Sequence, residues 1–296
     1  MTSTSAVEFL TRAADWVEPA LDAAVAVPEG PLARLYESMR YSLLGGGKRL
    51  RPALCRAACE AVGGEAEAAL APAVALELIH TYSLIHDDLP CMDDDALRRG
   101  RPTNHIVYGE AAAVLAGDGL LTRAFRVLGE ADLPADAIAS LTAILARAAG
   151  ADGMVGGQVL DLEAEGSEDV DLARLRYIHE HKTGALIAAA CEMGGVAAGA
   201  SAGEREALRG FGARVGLAFQ IVDDVLDETS SAGELGKEAQ KDRERGKATY
   251  PGLLGLDRSR EWAKELIDEA VGSTEAWGPA ADPLRALAQF VVVRSS

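Results

Sequence analysis

Two mostly apolar runs in this chain end in clusters of aspartate: Glu77-Leu-Ile-His-Thr-Tyr-Ser-Leu-Ile-His-Asp87-Asp88, continuing to Asp93-Asp94-Asp95, and a second run from Gly216 that closes on Asp223-Asp224-Val-Leu-Asp227. A helix apolar over most of its surface is buried along its length, so its last turn lies at the rim of the core. Carboxylates packed this densely repel one another, and a fold tolerates them there only where a cation or a strongly basic ligand neutralises them. The chain must therefore fold so that two acidic helix ends reach a cavity that takes up positive charge. Two facing helices delivering carboxylates to one cavity satisfy that demand.

The spacing within each cluster suits shared ions. Asp223 and Asp227 are four apart, which on a helix places them on one face with roughly 5 to 6 Å between Cβ atoms, while Asp224 points about 100° away. Six residues separate Asp87 from Asp93, but Pro90 breaks the helical path and lets Asp93 fold back toward the helix end. Oxygen ligands of this kind point to magnesium, which bridges protein carboxylates to the phosphates of a substrate.

Helix formers dominate the rest. Aromatic residues make up only 5% of 296 residues, and the one strand-like run, Phe290-Val291-Val292-Val293, falls inside a stretch from Pro283 to Val293 that reads as helix. An all-α fold is predicted. Helical stretches are expected at 4–25, 32–44, 51–62, 67–88, 110–129, 136–149, 152–162, 172–198, 202–227, 259–271 and 283–293, bounded by glycine and proline. Residues 228–247 are polar and glycine-broken and read as a long surface loop. No fixed-period repeat or linker interrupts the chain, so residues 1–296 are expected to form a single domain around one cavity.

A net charge of −17 argues against nucleic acid as a partner. The four cysteines, at 55, 59, 91 and 191, lack metal-ligand or disulfide-framework spacing and read as reduced structural thiols. Without a basic-then-apolar leader or an uninterrupted apolar run of about eighteen residues, the expectation is a cytoplasmic protein with no membrane insertion.

Against the acidic background stand two basic clusters, Lys48-Arg49-Leu-Arg51 after Gly45-Gly46-Gly47, and Arg98-Arg99-Gly-Arg101 after the first aspartate cluster. Such donors suit phosphate oxygens, and glycines let backbone approach closely. The nucleotide P-loop spacing is absent: Arg49 stands where a serine or threonine would ligate magnesium, and no strand precedes the glycines.

These stretches, with Arg98-Arg-Gly-Arg-Pro-Thr103, Lys182-Thr-Gly184, Phe219-Gln-Ile-Val-Asp-Asp-Val-Leu-Asp227 and Lys247-Ala-Thr-Tyr-Pro251, resemble the trans-isoprenyl diphosphate synthases and occur in that family's order. The resemblance spans residues 48–251 and is nearest to the bacterial farnesyl type. It implies the isoprenoid synthase fold, an all-helical bundle around a deep central cavity, and a homodimer. It implies that Asp87, Asp93 and Asp223, supported by Asp88 and Asp227, hold about three magnesium ions against an allylic diphosphate. By the same likeness Arg98, Lys182, Thr183, Gln220, Lys237 and Lys247 bind that diphosphate, and Lys48, Arg51, His80 and Arg99 hold isopentenyl diphosphate. Asp87, Asp93, Asp223, Lys182, Arg98 and Lys237 would carry the catalysis, an ionisation of the allylic C–O bond followed by attack of the isopentenyl double bond.

Residues just before the first acidic motif form the floor beneath the growing chain in this family. Here Tyr82 and Ser83 stand five and four positions before Asp87, and a tyrosine there predicts an early stop at farnesyl diphosphate. A geranyl or geranylgeranyl product is the alternative. Gln240 replaces the family's usual glycine in the loop that carries Lys237, Lys241 and Asp242, which leaves the placing of that loop open. A terpene cyclase would have no use for Lys48, Arg51, His80 and Arg99 together, and a non-catalytic partner subunit would not need both acidic motifs.

Overall fold

A computed structural model describes residues 3–167, 169–229 and 247–293. The expected site residues Lys237, Gln240, Lys241 and Asp242 lie outside these. Among the described residues all regular structure is helical apart from one small hairpin. The helices are α1 Ser3–Ala24, α2 Ala33–Leu43, α3 Leu50–Ala61, α4 Leu70–Asp87, α5 Asn104–Tyr108, α6 Glu110–Gly129, α7 Ala135–Ala149, α8 Met154–Ala164, α9 Leu172–His179, α10 Ala185–Ala197, α11 Ala202–Thr229, α12 Tyr250–Leu254, α13 Leu256–Gly272 and α14 Asp282–Val293. Strands β1 Leu97–Arg98 and β2 Arg101–Pro102 pair antiparallel across Arg99-Gly100.

α4 is buried on nearly every face, from Pro72 and Leu76 through Ile79 to Tyr82 and Ile85, because its sequence is apolar all round. It packs chiefly on α6, while α10 lies between α3 and α11, and α13 covers the far side of α11. Glycines set these close approaches. A side chain at Gly194 would run into the Cys55 carbonyl of α3, and one at Gly212 into the α10 backbone, so α10 sits nearer to both neighbours than bulkier residues would permit. The stretch Ala66–Asp87 is long and apolar enough to cross a bilayer, but 67% of its most apolar window is buried inside the protein. The corresponding window of Ala135–Ala164 is 39% buried.

The strand-like Phe290-Val293 run is the last turn of α14, where Val291 enters the core. Three features go beyond the sequence reading. The basic turn is a hairpin; short helices α5 and α12 fill presumed connections; and the stretch expected as one helix over 172–198 is interrupted by a π-helical turn, Glu180–Gly184. One extra residue per turn re-aims side chains locally, and such turns favour functional sites.

Candidate active site

The three glycines before Lys48 end α2 and turn the chain toward the core. Gly46 and Gly47 adopt φ of +92° and +144°, values that residues with a Cβ rarely reach. Arg99 of the hairpin donates to the Gly46 carbonyl, tying the two basic segments together. Lys48 and Arg51 then line a cavity of about 500 Å³ with His80 of α4, Arg99, Phe219 of α11 and Phe290 of α14. The four donors assigned by resemblance to isopentenyl diphosphate thus share one cavity although they come from three segments. Burial, followed by the charges of Arg51 and Arg99, pushes His80 well below the usual histidine range, so it enters the site as a neutral imidazole.

Arg51 and His80 also line an adjoining cavity of about 390 Å³, with Tyr82, Ser83, Asp87, Met92, Lys182, Thr183 and the α8 residues Met154, Val155, Gln158, Val159 and Leu162. Its mouth is charged and its interior apolar. Asp87 ends α4, and the following turn folds back so that the Asp93 amide donates to the Asp87 carbonyl at 2.8 Å. Desolvation raises the Asp87 carboxyl to about 6, a rise opposed by Lys182 and reinforced by Asp93. A carboxylate that pays this desolvation without a bonded counterion is suited to receive a cation.

Asp88 behaves differently. It is 3% exposed, and its Oδ1 accepts from Arg98 Nε at 2.7 Å. The structure turns it away from the cavity and onto the arginine, where it anchors the hairpin. Arg98 accordingly faces a small cleft of about 50 Å³ shared with Arg99, Tyr41 and Asn104.

On the opposite wall the π turn presents Lys182 and Thr183. The Thr183 hydroxyl donates to Gln220 Oε1 at 2.8 Å, joining the turn to α11 one turn before Asp223. Asp223 and Asp227 are half-buried and exposed on that helix, whereas Asp224 accepts from the Tyr250 amide at 2.9 Å and holds α12 in place. Lys182 Nζ donates to Asp161 Oδ2 at 2.6 Å, and Lys247 reaches the same oxygen at 3.4 Å. Asp161 was not singled out in the sequence; it stands three after Gln158 on α8, a helix whose other cavity-lining residues are apolar, and that spacing was the available signal.

Among the described residues no three carboxylates, histidines or cysteines converge on one metal position. Magnesium does not require such a cage, since it is held by one or two carboxylates together with substrate phosphates and water. The oxygen donors of Asp87, Asp93 and Asp223 fit that mode.

A family model described as "Polyprenyl synthetase" matches residues 32–280. The chain is 50% identical to the chloroplastic geranylgeranyl pyrophosphate synthase of Capsicum annuum, over 97% of this chain and 78% of that one. It is 46% identical to the geranylgeranyl diphosphate synthase of Cyanophora paradoxa, over 100% and 98%. The solved structure of an FPP/GFPP synthase from Zymomonas mobilis superposes with a TM-score of 0.89 at 40% identity, covering 98% of this chain and all of that one. The bundle is the isoprenoid synthase fold anticipated from the motifs. Matched by the family model over most of its length and by relatives across nearly all of it, the chain belongs to the polyprenyl synthetase family and is a trans-prenyltransferase.

Proposed function

We propose that the protein condenses isopentenyl diphosphate with allylic diphosphates to give geranylgeranyl diphosphate. The position of Ser83 carries this reading. Four residues before Asp87, Ser83 lies about 40° round the helix from it, whereas Tyr82, five before, lies about 140° away. Tyr82 is 6% exposed and meets His86 edge-on at 5.7 Å, and His86 bonds the Val114 carbonyl of α6. Tyr82 and Ser83 both line the second cavity, but the small residue is the one on the side of the acidic motif, while the tyrosine stands farther round α4 against His86, which supports a longer product than the farnesyl diphosphate expected from Tyr82. The names of the Capsicum and Cyanophora relatives agree with a C20 product.

Asp87, Asp93 and Asp223 would hold magnesium, with Asp227 alongside. When bound, the metal offsets charge developing on the departing diphosphate. Lys182 adds a further positive charge beside Asp87. The bond between Thr183 and Gln220 fixes both side chains at the mouth, and the apolar walls from α8 exclude water that would quench an allylic cation. Lys48, Arg51, neutral His80 and Arg99 would orient isopentenyl diphosphate so that its double bond faces that cation. The released diphosphate takes the final proton, so no protein base is required.

A homodimer fits the surface. Ile106 and Val107 of α5 and Val114 and Leu115 of α6, on consecutive helices, are apolar residues left 40 to 58% exposed.

The decisive experiment supplies purified protein with magnesium, isopentenyl diphosphate and dimethylallyl, geranyl or farnesyl diphosphate, and reads product length by chromatography. A C20 product is expected. Termination at C15 would return the chain-length role to Tyr82, and absence of any elongated product would sink the synthase reading.

A further inference from the structure

We infer that Asp161 is a positioning residue of the diphosphate subsite, holding the ammonium groups of Lys182 and Lys247 together as one cationic surface. The inference rests on the prenyl-transfer reading above and adds a residue that no motif in that reading contains.

A single oxygen, Oδ2 of Asp161, accepts from Lys182 Nζ at 2.6 Å and from Lys247 Nζ at 3.4 Å. The two cations therefore lie no farther apart than the sum of those lengths, a separation at which like charges repel strongly in a partly desolvated wall. The side chains are 14% exposed for Asp161, 24% for Lys182 and 19% for Lys247, so the cluster is neither in bulk water nor sealed in the core. Glu165, just past the end of α8, meets Lys247 at 3.3 Å.

The backbone fixes the arrangement. Gly157, one turn before Asp161, lies so close to the main chain of Lys182 that no side chain would fit there, and α8 and the π turn are consequently held in contact. Lys182 is also attracted by Asp87 across the cavity. Without Asp161 its ammonium would be free to move toward Asp87 and away from Lys247. Asp161 thus keeps two charges side by side for an incoming polyanion, which can engage both without first gathering them.

Asp161→Asn preserves shape and removes the charge. Its KM for the allylic diphosphate should rise about tenfold or more, the scale of losing a hydrogen bond to a charged group, with KM for isopentenyl diphosphate and the melting temperature unchanged. Calorimetric titration with inorganic diphosphate should weaken in parallel, independently of turnover, and Asp161→Glu should recover part of the loss. Adding Lys247→Met to Asp161→Asn should cost less than Lys247→Met alone. An unchanged allylic KM and diphosphate affinity, or a rise in both KM values with a fall in melting temperature, would overturn the inference. If Asp161→Asn fails to fold, Lys247→Met in the otherwise native chain must show the same one-sided KM effect. Wild-type protein that elongates no prenyl substrate would instead refute the functional reading.

Discussion

Arg49 donates from Nη1 to Glu77 Oε1 at 2.8 Å, a buried pair that stitches the glycine-rich turn to the middle of α4. Its remaining nitrogens bond Glu18 Oε1 at 2.7 Å and the Leu43 carbonyl at 2.8 Å. Lys48 and Arg51 flank Arg49 in sequence, and His80 follows Glu77 by three residues. The pair therefore sets the spacing of one substrate site while touching no substrate. Glu77→Gln strips a buried guanidinium of its nearest charge, a change of the kind that costs about 3 to 5 kcal/mol. Urea unfolding should register the lower part of that range, because Glu18 remains, and KM for isopentenyl diphosphate should rise.

Asp87→Ala and Asp223→Ala should each lower turnover by several orders of magnitude, since charge stabilisation by metal is worth several kcal/mol in a departing diphosphate. Asp88→Asn is expected to act through Arg98 and to cost distinctly less. Steady-state kinetics at saturating magnesium separates the two classes; equal losses at all three positions would contradict the inward placement of Asp88.

Chain length should respond to the walls of the second cavity. Ser83→Phe fills the space below Asp87, and Val159→Phe fills it from α8; each should shift product from C20 toward C15. Tyr82→Ala, on the same wall but farther round α4 from Asp87, should change the distribution less than either. Product chromatography from a common starter checks all three.

His179 links stability to pH. Burial pushes its pKa down to about 4 from the ordinary 6.5, opposed by Asp161, and its ring lies edge-on to Tyr250 at 5.3 Å. Between those values the unfolded chain binds a proton that the folded one does not, so stability is full above pH 6.5 and declines as pH falls toward 4. His179→Gln should flatten the melting temperature over that window relative to wild type.

Leu115→Glu places a charge among the exposed apolar residues of α5 and α6. Sedimentation should show a dimeric native protein and a monomeric variant; a native monomer would remove the assembly from the proposal.

Much of this was legible because the chemistry sits in short motifs whose partners are near in sequence. Asp87 and Asp93 bracket one turn, and Lys48 and Arg51 flank one arginine. What escaped reading depends on distant pairing or on angle. Asp161 gains its meaning from lysines 21 and 86 residues away. Asp88 and Asp87 are adjacent and chemically identical, yet helix end geometry sends one inward to Arg98. Counting positions before Asp87 singles out Tyr82 and Ser83 alike, and both line the second cavity; the 100° advance per residue that separates their directions does not show in the count. Two-residue strands carry no periodicity, so the hairpin bearing Arg98 and Arg99 had no pattern to betray it.

The π turn at Glu180–Gly184 makes α9 and α10 differ in phase. Both helices are seated by their own buried faces, Leu175 and Ile178 on one and Leu186 and Ile187 on the other. Deleting one residue between them would restore an unbroken helix but rotate one face by about 100° relative to the other. The core would then oppose the very register that local hydrogen bonding prefers. The surplus residue is thus locked in by packing at both ends, and the presentation of Lys182 and Thr183 to the cavity is a property of the whole bundle.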